Sequence, residues 1–416
     1  MIVDLPSTTT QAVSKRLVQL RQDVGAMALS RVLTLVVVAD EADIDEAVEV
    51  ANDASHQHPC RIVAVARGNR RGKARLDAQI RLGGDAGASE VVVLRLYGPL
   101  VAHARSVVIP LLLPDSPVVT WWPKDPPKHP AGDPVGEIAQ RRITDVATLP
   151  SYGSTLRRLA EAYTDGDTDL AWSRITLWRG LLAAALDRAP FEPITGAVVT
   201  GASDSPSVDL LAGWLQHRLR CPVSVVRSRS RTGVISVRLE RRSGTIDLVR
   251  PQDGDTATLE QTGEPPRAIA LAHRSDAECL ADELSRLDPD EVYGDALTKG
   301  MSKITRRRGR MSDAVAKGSV PSPASSRAST AAAWARAPSA STCRKAWTSP
   351  STRSIWARKA SVTSTAVSSR AAMRRPRSAA VAVRMSAVIR PPRPGSAGPG
   401  TCPRRWRARR PAPAPG

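Results

Sequence analysis

The chain holds one Phe, four Tyr and nine Trp among its 416 residues, and no apolar run approaches the ~20 residues that a membrane helix requires. The longest apolar stretches, VLTLVVVA and VVIPLLLP, have the length of strands, which excludes a helical membrane protein. The first twenty residues lack a basic leader followed by an apolar block, so secretion is not expected and the chain reads as soluble and cytoplasmic. Cysteine is sparse. Cys60, Cys221 and Cys279, the three within the first 300 residues, are far apart and odd in number, which fits reduced, buried thiols rather than a disulfide framework. Absent too are a Gly-x-Ser-x-Gly elbow, a Walker loop and a His-Glu-x-x-His helix, so none of these three catalytic motifs marks an enzyme.

Residues 301–416 lack Leu, Phe, Tyr, Glu, Gln, Asn and His altogether. Without Leu and with few other large apolar groups, this segment cannot bury enough surface to offset the entropy of ordering it, and a disordered Arg/Ala/Ser/Pro-rich tail is expected. It also accounts for the net charge of +20. Of the 60 Lys and Arg, 25 lie beyond residue 300, where Asp313 is the sole acid, so the first 300 residues carry 35 basic and 39 acidic side chains. A nucleic-acid role therefore rests on tail runs such as Arg306-Arg307-Arg308, because the body has no surplus positive charge to release counterions from a phosphate backbone. The tail's composition is also what GC-rich DNA encodes out of frame. We read it as the product of a frameshift or lost stop codon near residues 300–311, which resequencing the gene end tests.

The remaining 300 residues are two domains' worth, expected at 1–165 and 166–300. In the first, nearly all-apolar, β-branched runs at residues 32–40, 61–66, 90–96 and 117–122 alternate with helical patterns at 7–25, 41–56 and 99–112. That alternation predicts an α/β fold with a mainly parallel sheet, to which residues 76–82 add an antiparallel strand. A proline-rich loop at 123–134 leads into a helical region, 136–187, with a turn and helix cap near TDGDTD. In the second, smaller domain, a strand at 194–199, a helix at 206–219 and a strand at 222–227 precede alternating strands at 233–239, 245–249 and 268–271. These predict a mixed sheet with one wet face, closed by a helix at 276–287.

Three motifs favour structural readings. The glycines of residues 83–87 precede a strand, whereas a dinucleotide cradle follows one, so a tight turn is expected. Residues 200–207, TGASDSPS, sit between a strand and a helix but lack the later glycines of a phosphate loop, which favours helix capping by Ser205 or Ser207. His56, His58 and Cys60 alternate without a fourth ligand, which favours a turn over a metal site. The scarce aromatics cluster with arginine: Trp121, Trp122, Arg141, Arg142, Trp172 and Arg174. Core packing is one reading; the other is a partner interface at the carboxyl end of the first sheet, since Trp and Arg anchors dominate buried contacts.

HPCR (58–61), LGGDAGASEVVVLRLYGPL (82–100), VIPLLLPDSPVVTWWP (108–123), RRITD (141–145), DTDLAW (167–172) and LDPDEVYGDAL (287–297) together resemble the OpcA family of glucose-6-phosphate dehydrogenase assembly proteins. The resemblance covers residues 1–300 and stops where the tail begins. It implies a non-catalytic factor, without cofactor, metal or catalytic residues, that favours the active oligomer of glucose-6-phosphate dehydrogenase and so supports NADPH supply in the oxidative pentose phosphate pathway. It also implies thioredoxin as a partner through Cys60, Cys221 or Cys279. Two alternatives stay open: a sugar-phosphate- or nucleotide-binding enzyme with residues 200–207 or Arg141 and Arg142 lining its pocket, and a nucleic-acid binder acting through the tail.

Overall fold

The computed structural model describes residues 1–23, 32–82, 90–228, 233–251 and 254–307. The expected turn at 83–87 and the tail beyond residue 307 lie outside them. All described residues fall within one unit, Met1–Ser368, and the other unit, Ser369–Gly416, lies outside the described residues.

The chain opens with β1 (Ile2–Leu5) and α1 (Thr10–Asp23), then alternates through β2 (Leu33–Asp40), α2 (Ile44–Ser55), β3 (Cys60–Arg67), β4 (Arg75–Arg81), β5 (Glu90–Tyr97), the short α3 (Ala104–Val108) and β6 (Val118–Trp122). β7 (Arg141–Thr144), α4 (Tyr152–Glu161) and β8 (Asp167–Asp169) complete an eight-stranded sheet in the order β1-β4-β5-β3-β2-β6-β7-β8. From β5 to β8 all strands are parallel, and β4 joins antiparallel as its alternation predicts. The sheet thus starts at β2, winds outward through β3 and β5, then reverses through β6, β7 and β8, a doubly wound arrangement. Strands buried on both faces explain the near-continuous apolar runs of β2, β3 and β5. One face packs α2 through Ile44, Ala47, Val48 and Ala51; the other packs α1 through Val13, Leu17 and Leu20.

The helical reading of 136–187 is corrected at β7 and β8. Arg141 and Arg142, expected in a helical region and as contact residues, lie on β7, and both are buried, because carboxylates from other segments neutralise them. The turn between α4 and β8 stands where expected, with Gly166 at φ +95°, a conformation costly for other residues.

After α5 (Leu170–Ser173) and α6 (Thr176–Leu186), the second sheet begins with β9 (Gly196–Ala202), α7 (Pro206–Leu219) and β10 (Val223–Ser228). β11 (Val234–Arg241), β12 (Gly244–Val249), β13 (Thr256–Gln261) and β14 (Arg267–Ala270) follow as an antiparallel meander. The sequence TATLEQ of β13 has too little apolar alternation to have been expected as a strand. α8 (Asp276–Leu284), α9 (Glu291–Asp295) and β15 (Thr305–Arg307) end the described chain, and the sheet runs β14-β13-β12-β11-β9-β10-β15. It is mixed: β10 is parallel to β9 and β15, and β11 antiparallel to β9. α8 does not close this second sheet as its position suggests. Cys279, Leu280, Ala281 and Leu284 instead join the apolar cluster of β2, β3 and α2 on the first sheet.

Candidate functional site

Two places invite function: the crevice where the first sheet reverses, and the seam where α5 and α8 meet β7 and β8. In an open α/β sheet, ligands bind at the carboxyl ends of the strands flanking the reversal, here β2 and β6. The β2–α2 turn carries Asp40, Glu41 and Asp43 in place of a glycine cradle, and the first turn of α2 adds Asp45 and Glu46. From the loop after β6, Lys124 Nζ reaches Asp43 at 2.7 Å and Glu46 at 3.3 Å. The Tyr97 hydroxyl donates to Glu41, whose hydrogen bond, aided by burial, raises the phenol's pKa. Arg67 pairs with Asp40, and Arg81 and Arg95 with Asp45, so the start of α2 presents paired carboxylates where a pyrophosphate would meet a glycine turn and free amides.

Residues 200–207 are likewise committed. Ser205 is the N-cap of α7 without a side-chain capping bond, a departure from expectation, and Ser207 Oγ instead donates to Ala171 O at 2.8 Å. Asp209 in the first turn of α7 accepts from Tyr152 at 2.9 Å and pairs with Arg227 at 2.7 Å. His56 caps α2, exposed, beside the buried Cys60, and no group of three metal-ligating side chains occurs among the described residues.

The seam gathers the residues that the sequence singled out on β7 and at α5. Arg141 of β7 pairs with Glu283 of α8 and donates to Asp288 O at 2.7 Å; Glu283 also accepts from Ser173 of α5. Arg142 pairs with Asp167 of β8 and donates to the carbonyls of Ala139 and Asp165 at 2.8 and 2.6 Å. Arg174 makes a two-pronged contact with Asp145, at 2.8 and 2.7 Å, and reaches Asp276 of α8 at 2.7 Å. Trp172 Nε1 donates to Asp290 at 2.9 Å, with the Arg179 guanidinium 3.6 Å above its ring and Tyr293 5.8 Å away. Asp169, the N-cap of α5, accepts from Thr144 Oγ1 at 2.6 Å and from the Val146 and Ala171 amides. Burial, with Asp145 nearby, lifts its carboxyl to about 7; burial pulls Arg179 down to about 10.

Five of the six residues singled out in the sequence are therefore interior: Trp121, Trp122, Arg141, Arg142 and Trp172. Trp121 and Trp122 do point to opposite faces, as neighbours on a strand must, but helices cover both faces, so neither indole reaches solvent. Arg174 alone of the six keeps partial exposure, while held by two carboxylates. Glu283, Asp276 and Asp290, which complete the cluster, were not anticipated; only the capping box of Ser275 and Glu278 marked their region as an ordered helix start. A cavity of about 10 Å³ beside Thr144, Tyr163, Asp167, Thr168 and Tyr293 has room for one water and no more. The chemistry of the seam is fixation: each charged group is held by an opposite charge, a side-chain donor or the backbone.

Thioredoxin exchange has no support here. All three described thiols are buried, and burial pushes Cys279 up to about 12, away from the reactive thiolate such exchange needs.

Two family models match the chain. That for the N-terminal domain of the glucose-6-phosphate dehydrogenase subunit matches residues 51–161, and that for its C-terminal domain matches residues 165–297. No curated protein sequence matches. Among solved structures, an aldose-aldose oxidoreductase from Caulobacter crescentus is 8% identical, with 64% of this chain and 94% of that one covered at a TM-score of 0.35. Levoglucosan dehydrogenase is 10% identical over 70% and 91%, at 0.32, and an oxidoreductase from Sinorhizobium meliloti 13% identical over 64% and 86%, at 0.31. Likeness this slight carries no argument about activity.

Proposed function

Since the chain belongs to the OpcA family of glucose-6-phosphate dehydrogenase assembly proteins, we propose that it binds that dehydrogenase in the cytoplasm and favours its active oligomer without catalysing a reaction itself. The observation that carries this reading is the match of both family domains, in order, across residues 51–297. The crevice supports it, since the end of α2 that would hold a sugar phosphate or nucleotide carries the carboxylates of Asp43 and Glu46, paired with Lys124.

A binding factor needs no chemistry of its own. If it holds the active oligomer more tightly than the inactive form, it shifts the population by that difference, and each ~1.4 kcal/mol is worth tenfold. Trp121, Trp122, Arg141, Arg142, Trp172 and Arg174 serve such contact from within: Arg141, Trp172 and Arg174, with Trp121 in the apolar cluster of α8, hold α5 and α8 at the first sheet, while Trp122 packs the opposite face and Arg142 ties β7 to β8. Arg174 then stands at the surface that meets the enzyme. The consequence in a cell is a larger NADPH supply from the oxidative pentose phosphate pathway.

The test mixes the full chain with its cognate dehydrogenase and follows mass and rate together. Co-elution at a mass above either component, with a faster dehydrogenase, is expected. Substrate turnover by this chain alone, or an enzyme unchanged in mass and rate, overturns the proposal.

A further inference from the structure

We propose that the face of the second sheet that carries no helix among the described residues is an interface with a second copy of this chain. The strand register determines what that face carries. Val226 lies opposite Thr200, Thr200 opposite Ser236, Ser236 opposite Val249, Val249 opposite Thr258, and Thr258 opposite Ala268. Residues directly opposite share a face, so these six form one row across β10, β9, β11, β12, β13 and β14. A second row runs through Ser224, Val198, Arg238, Asp247 and Glu260. Their neighbours in sequence, Val199, Val225, Val237, Leu248 and Ala257, point the other way and are wholly buried in the core beneath α7. Val198, Val226 and Val249 are only half-buried and join none of the apolar clusters.

Across these six strands the first row has no charge and nothing larger than Val, and Arg307 continues it on β15, beyond the overlap set out below, so a second sheet can approach to the ~10 Å of face-to-face packing. Six strands at ~4.8 Å spacing and about six residues of length give roughly 500 Å² on each copy. Two such faces bury roughly 1,000 Å², the size at which specific interfaces begin.

Charge singles out a second copy as the occupant. Arg238 Nε lies 2.6 Å from Asp247 Oδ1 on the neighbouring strand. A two-fold axis lying in the interface, along the strands between β11 and β12, reverses the strand order of one sheet over the other. It sets Arg238 against Asp247 of the second copy, and Asp247 against Arg238 of the second copy. In the first row, Ser236 meets Val249 of the second copy and Thr200 meets its Thr258. In the second row Glu260 meets Val198 of the second copy, near one end of the strands, from where its carboxylate reaches water. The same face is thus complementary to itself, as an isologous contact requires.

Light scattering on the full chain, together with Arg238→Asp and Asp247→Arg, tests the pairing. The wild type is expected at two-chain mass. Each variant sets like charges against each other twice and is expected at one-chain mass, its dissociation constant raised about tenfold or more. An equal mixture of the two variants returns to two-chain mass, since the acids of one meet the bases of the other, which loss of the local pair alone cannot produce. Val249→Arg, at the centre of the row, is expected at one-chain mass with an unchanged circular dichroism spectrum. A wild type at one-chain mass, folded variants that stay paired, or a mixture that stays apart overturns the proposal. So does a single-chain wild type whose co-elution with the dehydrogenase is lost on Val249→Arg, which gives the face to the enzyme. The pairing does not depend on the assembly reading, and the first mass measurement is made without the enzyme.

Discussion

Asp169 has no exposure to solvent, and its carboxyl is lifted from an ordinary 3.8 to about 7, by burial first and by Asp145 second. Between those two values the folded chain holds a proton that the unfolded chain has released. The stability this contributes is complete below about pH 4 and is lost as pH rises to about 7. Asp169→Asn cannot ionise and gives up the acceptor for the Val146 amide at every pH. The stability gap between wild type and variant, measured by urea unfolding, is therefore expected to be widest near pH 4 and to narrow toward neutrality; a gap that ignores pH overturns the assignment. The role of Asp169 as a helix cap was legible in TDGDTD, since Asp before an apolar helical start satisfies free amides. Its burial was not, because the groups around it, Thr144, Val146 and Arg174, come from outside that motif. The same limit hid the fate of Trp121 and Trp122. Their clustering was visible, but spacing cannot say that both faces of their strand are covered.

At the scale of elements, β2, β3, β5 and β6 were legible because a strand buried on both sides must be apolar throughout, and only such a strand shows so plainly. β7 was not, since RRIT is apolar only at Ile143 and its two guanidiniums are neutralised by Glu283 and Asp167, far away in sequence. α8 was expected as a helix at 276–287, but an apolar helix face does not name the surface it covers. Its attachment to the first sheet predicts the effect of Leu280→Ala. Leu280 is fully buried there, so the variant is expected to lose about 3 kcal/mol of stability in urea unfolding, the usual cost of emptying a buried Leu site. It should do so with increased hydrogen exchange in β2 and β3, over two hundred residues earlier. Loosening confined to the second sheet overturns this packing.

At the scale of the whole molecule, the charges of the seam bind the two sheets into one cooperative body. Arg141 to Glu283 and Arg174 to Asp276 span more than a hundred residues each, and removing one partner of the buried Arg141–Glu283 pair costs about 3–5 kcal/mol. Tryptophan fluorescence, which follows Trp121, Trp122, Trp172 and Trp178 in the core, is therefore expected to report the same urea midpoint as circular dichroism for the described body. Two separated midpoints mean that the sheets melt independently. The return of α8 also sets a timetable for synthesis. A ribosome makes the chain from its amino end, so β2, β3 and α2 emerge long before Cys279, Leu280, Ala281 and Leu284 exist to cover them. Throughout that interval the nascent first sheet carries a bare apolar strip the width of a helix, and it is over this strip that a chaperone has reason to wait.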